Sequence, residues 1–187
     1  MTFELDTEQF KTYCKFNNID VSDYSTDELK SLYQYRFLQL EELLGFTITP
    51  AKHTDYHFMF HGPTLLLEFY PILSVDKITI DGEVTSLDYK LDKESGIIYM
   101  NTPVVGDLEV EYTTGFTDEE YESIILPLLY DFICYNIYAV NHDGNEISSV
   151  KEGEVSVNYD TSNTWYNKVY GRINRLKESY NCRCTML

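Results

Sequence analysis

Long apolar runs are missing. Nowhere in the 187 residues do the ~20 successive apolar side chains of a helical membrane span occur, so no membrane contact of that kind is expected. Basic side chains are scarce: 14 Lys and Arg stand against 31 Asp and Glu, a net charge of −17. A surface of that sign cannot grip nucleic-acid phosphates or anionic lipid, because such affinity comes from cations. The opening run MTFELDTEQF has neither a basic region nor an apolar stretch, so no secretory signal is expected. Cysteine is sparse, and Cys14, Cys134, Cys182 and Cys184 lack the spacing of a disulfide framework. Cys182 and Cys184 are too close to each other for an unstrained bridge. Reduced thiols in a cytosolic protein are the expectation.

Catalytic patterns are missing too. The chain has no GxSxG, P-loop, GxGxxG, HExxH or CxxC, and its aspartate-rich segments lack the EF-hand glycine and closing Glu. Cys182-x-Cys184 lacks two further ligands nearby for zinc. The acidic run Asp118-Glu119-Glu120 belongs to a first helical turn, where the helix dipole accounts for it. No enzyme, cofactor or metal is expected. His53, His57 and His61 recur every four residues with Asp55 between the first two. On a strand such neighbours lie ~13 Å apart, too far to share an ion, and Gly62-Pro63 disfavours a helix; a solvated strand face or loop is expected.

Apolar and aromatic material, by contrast, is plentiful: 43% of residues are hydrophobic, with 17 Tyr and 10 Phe. That is enough buried area to offset the ordering entropy of one compact domain with an inserted module. Asp6 and Gln9 have capping-box spacing ahead of Phe10, Tyr13 and Cys14, which predicts a helix over 7–17 ended by Asn17-Asn18. Ser25 with Glu28 opens a second, over 26–44, with Gly45 just beyond its end. From Thr47 to Thr114 the helical period gives way to β-rich runs: 65–70, 75–80, 89–91, 96–100 and 108–112. Asp81-Gly82 signals a type I′ hairpin, and the short intervals predict antiparallel pairing in a small sheet or partial barrel.

Thr117 with Glu120 makes a third capping box before the apolar face Tyr121, Ile124, Ile125, Leu128, Leu129, Phe132, Ile133, Ile137 and Val140. This predicts a long core helix kinked at Pro127 near Ser123; the alternative is a loop to Leu126 with Pro127 in the first helical position. Residues 147–159 read as a hairpin: Gly153 between Glu152 and Glu154 suits a tight turn with positive φ. Val150, Val155 and Val157 then give strand edges able to pair with a neighbouring protomer. Tyr166, Val169, Tyr170, Ile173, Leu176 and Tyr180 mark a last amphipathic helix. Lys168, Arg172, Arg175, Lys177 and Arg183 against Glu178 make 168–183 +4, leaving −21 for the rest.

The order of these motifs carries more than any one of them. Phe69-Tyr70-Pro71-Ile72, Val75, Ile78, Ile80-Asp81-Gly82, Tyr89, Gly96-Ile97-Ile98-Tyr99 and Val110-Glu111-Tyr112-Thr113-Thr114-Gly115-Phe116 follow one another. Together with the long helix from about 118, the Ser148 to Tyr159 stretch and the closing helix, this succession resembles the head-tail connector (adaptor, head-completion) proteins of tailed bacteriophages. The resemblance spans roughly residues 65–180.

It implies an α+β protomer: a helical bundle of about four helices over 1–46 and 115–187, an inserted antiparallel β-module over 47–114, and a hairpin before the C-terminal helix. It further implies a non-enzymatic virion protein at the head-tail interface, made in the host cytoplasm and assembled as a ring below a dodecameric portal. The ring would meet a stopper or tail-completion protein and extend the DNA channel, through which duplex DNA passes without specific binding. Portal docking would fall to the basic segment Lys168, Arg172, Arg175, Lys177 and Arg183, with Tyr166, Val169, Tyr170, Ile173 and Leu176 turned to the bundle. An acidic DNA mimic shares the charge, and a carbohydrate-binding accessory is a further class. A DNA-mimic inhibitor would need neither the basic helix nor the hairpin, and a carbohydrate-binding tail accessory would use exposed Tyr and Trp, whereas the sole Trp165 lies outside the β-module.

Overall fold

The computed structural model describes residues 3–141, 149–152, 155–158 and 165–180. Helices are set by their caps. The Asp6 carboxylate accepts from the amides of Glu8 and Gln9 at 3.0 Å and starts α1 (Thr7–Phe16). Asn18, with φ +56°, follows its end, where the Ile19 amide reaches back to the Cys14 carbonyl. In front of α2 (Thr26–Leu44) the Ser25 amide donates to Glu28 at 2.8 Å while the Glu28 amide donates to Ser25 Oγ. Gly45 (φ +78°) takes the left-handed position past its last turn.

The expected kinked helix is built differently. The capping box of Thr117 and Glu120 opens one turn, α3 (Asp118–Glu120), which passes into a π-helical turn, Tyr121–Ile125, and then α4 (Leu126–Asn141). Pro127 has no amide to give the Ser123 carbonyl, and the widened turn just before it absorbs the missing bond. The last helix is α5 (Trp165–Tyr180).

The strands are β1 (Ala51–Leu66), β2 (Ile72–Ile80), β3 (Glu83–Val84), β4 (Tyr89–Asp92) and β5 (Ile97–Thr114), all antiparallel in the order β1-β5-β2-β3, with β4 on the first half of β5. The sheet is open, not a partial barrel. The runs 96–100 and 108–112 are one strand, interrupted by a register shift where β1 passes from Gly62 to Thr64 and β5 from Val104 to Tyr99. Pro103, unable to donate to a ladder, sits within that irregular stretch. The run 65–70 is the end of a much longer β1 plus the connection to β2. Asp81 (φ +50°) and Gly82 (φ +83°) make the turn between Ile80 and Glu83 with the two positive φ values that type I′ requires. A separate two-stranded ladder, β6 (Ser149–Glu152) with β7 (Val155–Asn158), is the expected hairpin. Among the described residues, four long helices and an antiparallel sheet make an α+β fold.

Among the described residues the chain divides into two compact units. One holds residue 3, residues 44–121 and the end of α5. Its core is Leu65, Leu67, Ile72, Ile78, Ile98, Met100, Val104, Leu108, Val110 and Tyr112, each fully buried Leu or Ile contributing ~1.5–3 kcal/mol. Phe46, Phe116 and Tyr180 form an aromatic cluster in the same unit, with ring centres 5.2–6.0 Å apart. The second unit holds residues 4–43 and 122–175. There Tyr130 meets Phe10 at 5.0 Å and Tyr13 at 5.2 Å, and the buried free thiols of Cys14 and Cys134 lie 3.6 Å apart.

Candidate functional site

The basic helix carries a charge opposite to that of the rest of the chain. On α5, Val169 and Ile173 are buried and Tyr170 is half-buried, edge-on to Phe132 with centres 6.1 Å apart. That is the apolar face the spacing predicts. The cations do not behave alike. Lys168 and Arg175 are exposed, and Lys177 is half-buried. Arg175 Nε donates to the Gly171 carbonyl at 3.1 Å, one turn back. Arg172 departs from the expectation of a guanidinium offered outward: it is paired with Asp131, whose side chain is 1% exposed.

Asp131 also accepts from the Tyr13 hydroxyl at 2.5 Å. A carboxylate taken out of water needs compensating donors, and Arg172 and Tyr13 supply them. Burial, then the bond to Asp131, pushes the Tyr13 phenol well above its ordinary pKa. Arg172 thus acts inside its own unit, while Arg183 lies outside the described residues. In the hairpin, Val150 is registered against Val157 and Glu152 against Val155, and Gly153 lies outside the described residues.

Two of the three clustered histidines, His53 and His57, are not on a solvated face. His53, Asp55 and His57 stand opposite Tyr112, Val110 and Leu108 and share the face of those core residues; only His61 is exposed. His53 stacks on Phe69 with centres 4.2 Å apart, and its Nε2 is 3.0 Å from Thr114 Oγ1. Asp55 is buried because it holds a turn: it accepts from the Glu68 amide at 2.6 Å and the Tyr112 hydroxyl at 3.0 Å, while Tyr112 accepts from the Phe69 amide. Among the described residues no group of three or more His, Cys, Asp and Glu is placed to hold a metal ion. The opposite face of β1 presents Tyr56 and Phe58, 61% and 78% exposed. The sequence reading passed over this pair, whose signal was aromatics alternating with His and Asp at a period of two.

No family model and no curated protein sequence matches the chain. Solved structures do. A chain in the neck of an empty GTA particle, computed with C6 symmetry, superposes with a TM-score of 0.53 at 12% identity, over 92% of this chain and 88% of that one. A chain in the virion of a native gene transfer agent (GTA) particle gives 0.53 at 10% identity, over 92% and 89%. The chain therefore has the fold of a protein in the neck and virion of a gene transfer agent particle, in keeping with the head-tail connector resemblance of its sequence.

Proposed function

We propose that this chain is a non-catalytic structural subunit of the virion neck, assembled as a ring that joins the capsid portal to the stopper or tail and extends the DNA channel. The observation that carries the reading is a fold shared, over nine-tenths of the chain, with a protein from a particle neck computed with C6 symmetry. The charge is compatible with it. A wall that duplex DNA must slide along is served by excess Asp and Glu, which repel phosphate over about a Debye length, ~8 Å at physiological salt.

The same charge sets identical protomers against one another, so assembly is nucleated by the portal. In this reading the exposed cations Lys168 and Arg175, with Lys177 and Arg183, meet acidic portal groups, and the β6–β7 hairpin adds its edges to the next protomer. Light scattering on the chain alone should show a monomer or small oligomer, and a stoichiometric ring complex once a cognate portal is added. Gly153→Val should leave the monomer folded by circular dichroism and block the ring. A tight complex with a nuclease or repressor, and none with a portal, would replace this reading with that of an acidic inhibitor.

A further inference from the structure

The outer face of the large sheet carries a row of residues that the ring reading does not use. Register aligns Tyr56 of β1 with Glu109 of β5, Glu109 with Thr79 of β2, and Thr79 with Val84 of β3. Residues paired across strands leave the sheet on the same side with Cβ atoms ~5 Å apart. Phe58, two residues beyond Tyr56, continues the aromatic edge ~7 Å along the strand. Between them opens a cleft of about 100 Å³ lined by Tyr56, Phe58, Thr79, Asp107 and Glu109 among others.

Three features of this cleft specify an occupant. First, two aromatic rings stand 61% and 78% exposed at its side, more than their burial potential would leave without a partner. Second, carboxylates set its charge. Asp107 accepts from the Met59 amide at 2.8 Å and Glu109 stands in the central row; of the cations on the same face, Lys77 is taken by Glu111 at 2.7 Å, and Lys52, opposite Thr113, lies four residues and ~13 Å along β1 from Tyr56. Third, Thr79 lines the cleft and is 5% exposed, and its hydroxyl, shielded from water, has no hydrogen-bond partner; a turn about χ1 would present that oxygen to a donor in the cleft and remove the unmet desolvation cost.

We propose that this cleft binds an arginine side chain presented by a segment of another protein. A guanidinium is planar, weakly hydrated and carries five donors, so it stacks on Tyr56 or Phe58 while donating to Glu109 and to the Thr79 hydroxyl. An ammonium reaches the carboxylate but does not stack. An anion is refused by Asp107 and Glu109, and a purely apolar group leaves the Thr79 oxygen unmet. Residues 47–114 carry 11 acidic and 4 basic side chains, so the whole module draws a basic segment toward the cleft.

The test is an NMR titration of the full chain with acetyl-Leu-Arg-Leu-amide and with the same peptide carrying lysine or citrulline. The arginine peptide should give saturable shifts at Tyr56, Phe58, Thr79 and Glu109, and the citrulline peptide should bind about tenfold more weakly or worse. Phe58→Ser and Glu109→Gln, both at accessible positions, should each weaken binding several-fold without altering the far-ultraviolet circular dichroism. Thr79→Val, which keeps the shape and removes the acceptor, should weaken arginine more than lysine. Shifts spread over the acidic surfaces of α2, equal binding of arginine, lysine and citrulline, or undiminished binding by Phe58→Ser would each overturn the proposal.

Discussion

Arg172 shows how one residue changes meaning between sequence and structure. In the sequence it is one of five cations on a helix; in the fold its guanidinium compensates a carboxylate that is 1% exposed. Truncating it leaves Asp131 with the Tyr13 hydroxyl as donor, and breaking a buried ion pair costs about 3 kcal/mol, toward the low end here because Arg172 is half-buried. Thermal unfolding should therefore show Arg172→Ala markedly destabilised. Arg175→Ala, on the exposed side of the same helix, should shift stability by no more than about 0.5 kcal/mol.

The buried phenols add a pH signature. Tyr13, Tyr112 and Tyr130 are held above their ordinary pKa, chiefly by burial, and Tyr180 is pushed up to about 12 by the same cause. A raised folded pKa gives stability that is complete below the unfolded value of about 10 and is lost as pH rises through the folded one. The unfolding temperature should then stay level through neutral pH and fall in alkali above about pH 10. Tyr13→Phe should flatten part of that fall.

At the scale of elements, what the sequence disclosed and what it hid follow from local chemistry. The boundaries of α1 and α2 were legible because Asp6, Ser25 and Glu28 cap their own backbones within three residues. The Asp81-Gly82 turn was legible for the same reason. β1 was not, because its pattern is inverted: the core-facing positions include His53, Asp55 and His57, while Tyr56 and Phe58 face outward. Asp55 is tolerated inside only through partners 13 and 57 residues away, Glu68 and Tyr112, and no window of sequence contains that information. Arg172 was misread likewise, its partner Asp131 lying 41 residues back.

Glycines separate in the same way. A Cβ on Gly82 (φ +83°) would meet nothing within 4 Å, so Gly82→Ala should cost only the left-handed penalty of about 1 kcal/mol. A Cβ on Gly115 (φ +112°) would sit 2.9 Å from the backbone of Pro50, which cannot swing aside as a side chain does. Gly115→Ala should therefore lose more than Gly82→Ala, by at least about 1–2 kcal/mol in denaturant unfolding. Equal losses would mean that the 48–50 segment yields.

For the whole molecule, the net charge of −17 makes two kinds of contact respond oppositely to salt. In the proposed ring, contacts between identical protomers work against like charge, so screening strengthens them, whereas contacts of the α5 cations with acidic portal groups would be attractive, so screening would weaken them. Each exposed pair contributes only ~0.2–1 kcal/mol, yet repetition around a closed ring multiplies a small single-site loss into an assembly defect. Lys168→Glu combined with Arg175→Glu changes two exposed positions and spares Arg172 and its partner Asp131. The double variant should unfold within a few degrees of the parent, bind a cognate portal more weakly, and lose most of the salt dependence of that binding. Titrating portal binding against ionic strength for both proteins is the measurement. Parallel salt curves with unchanged affinity would remove α5 from the docking surface and leave the β-module as the face that meets the portal.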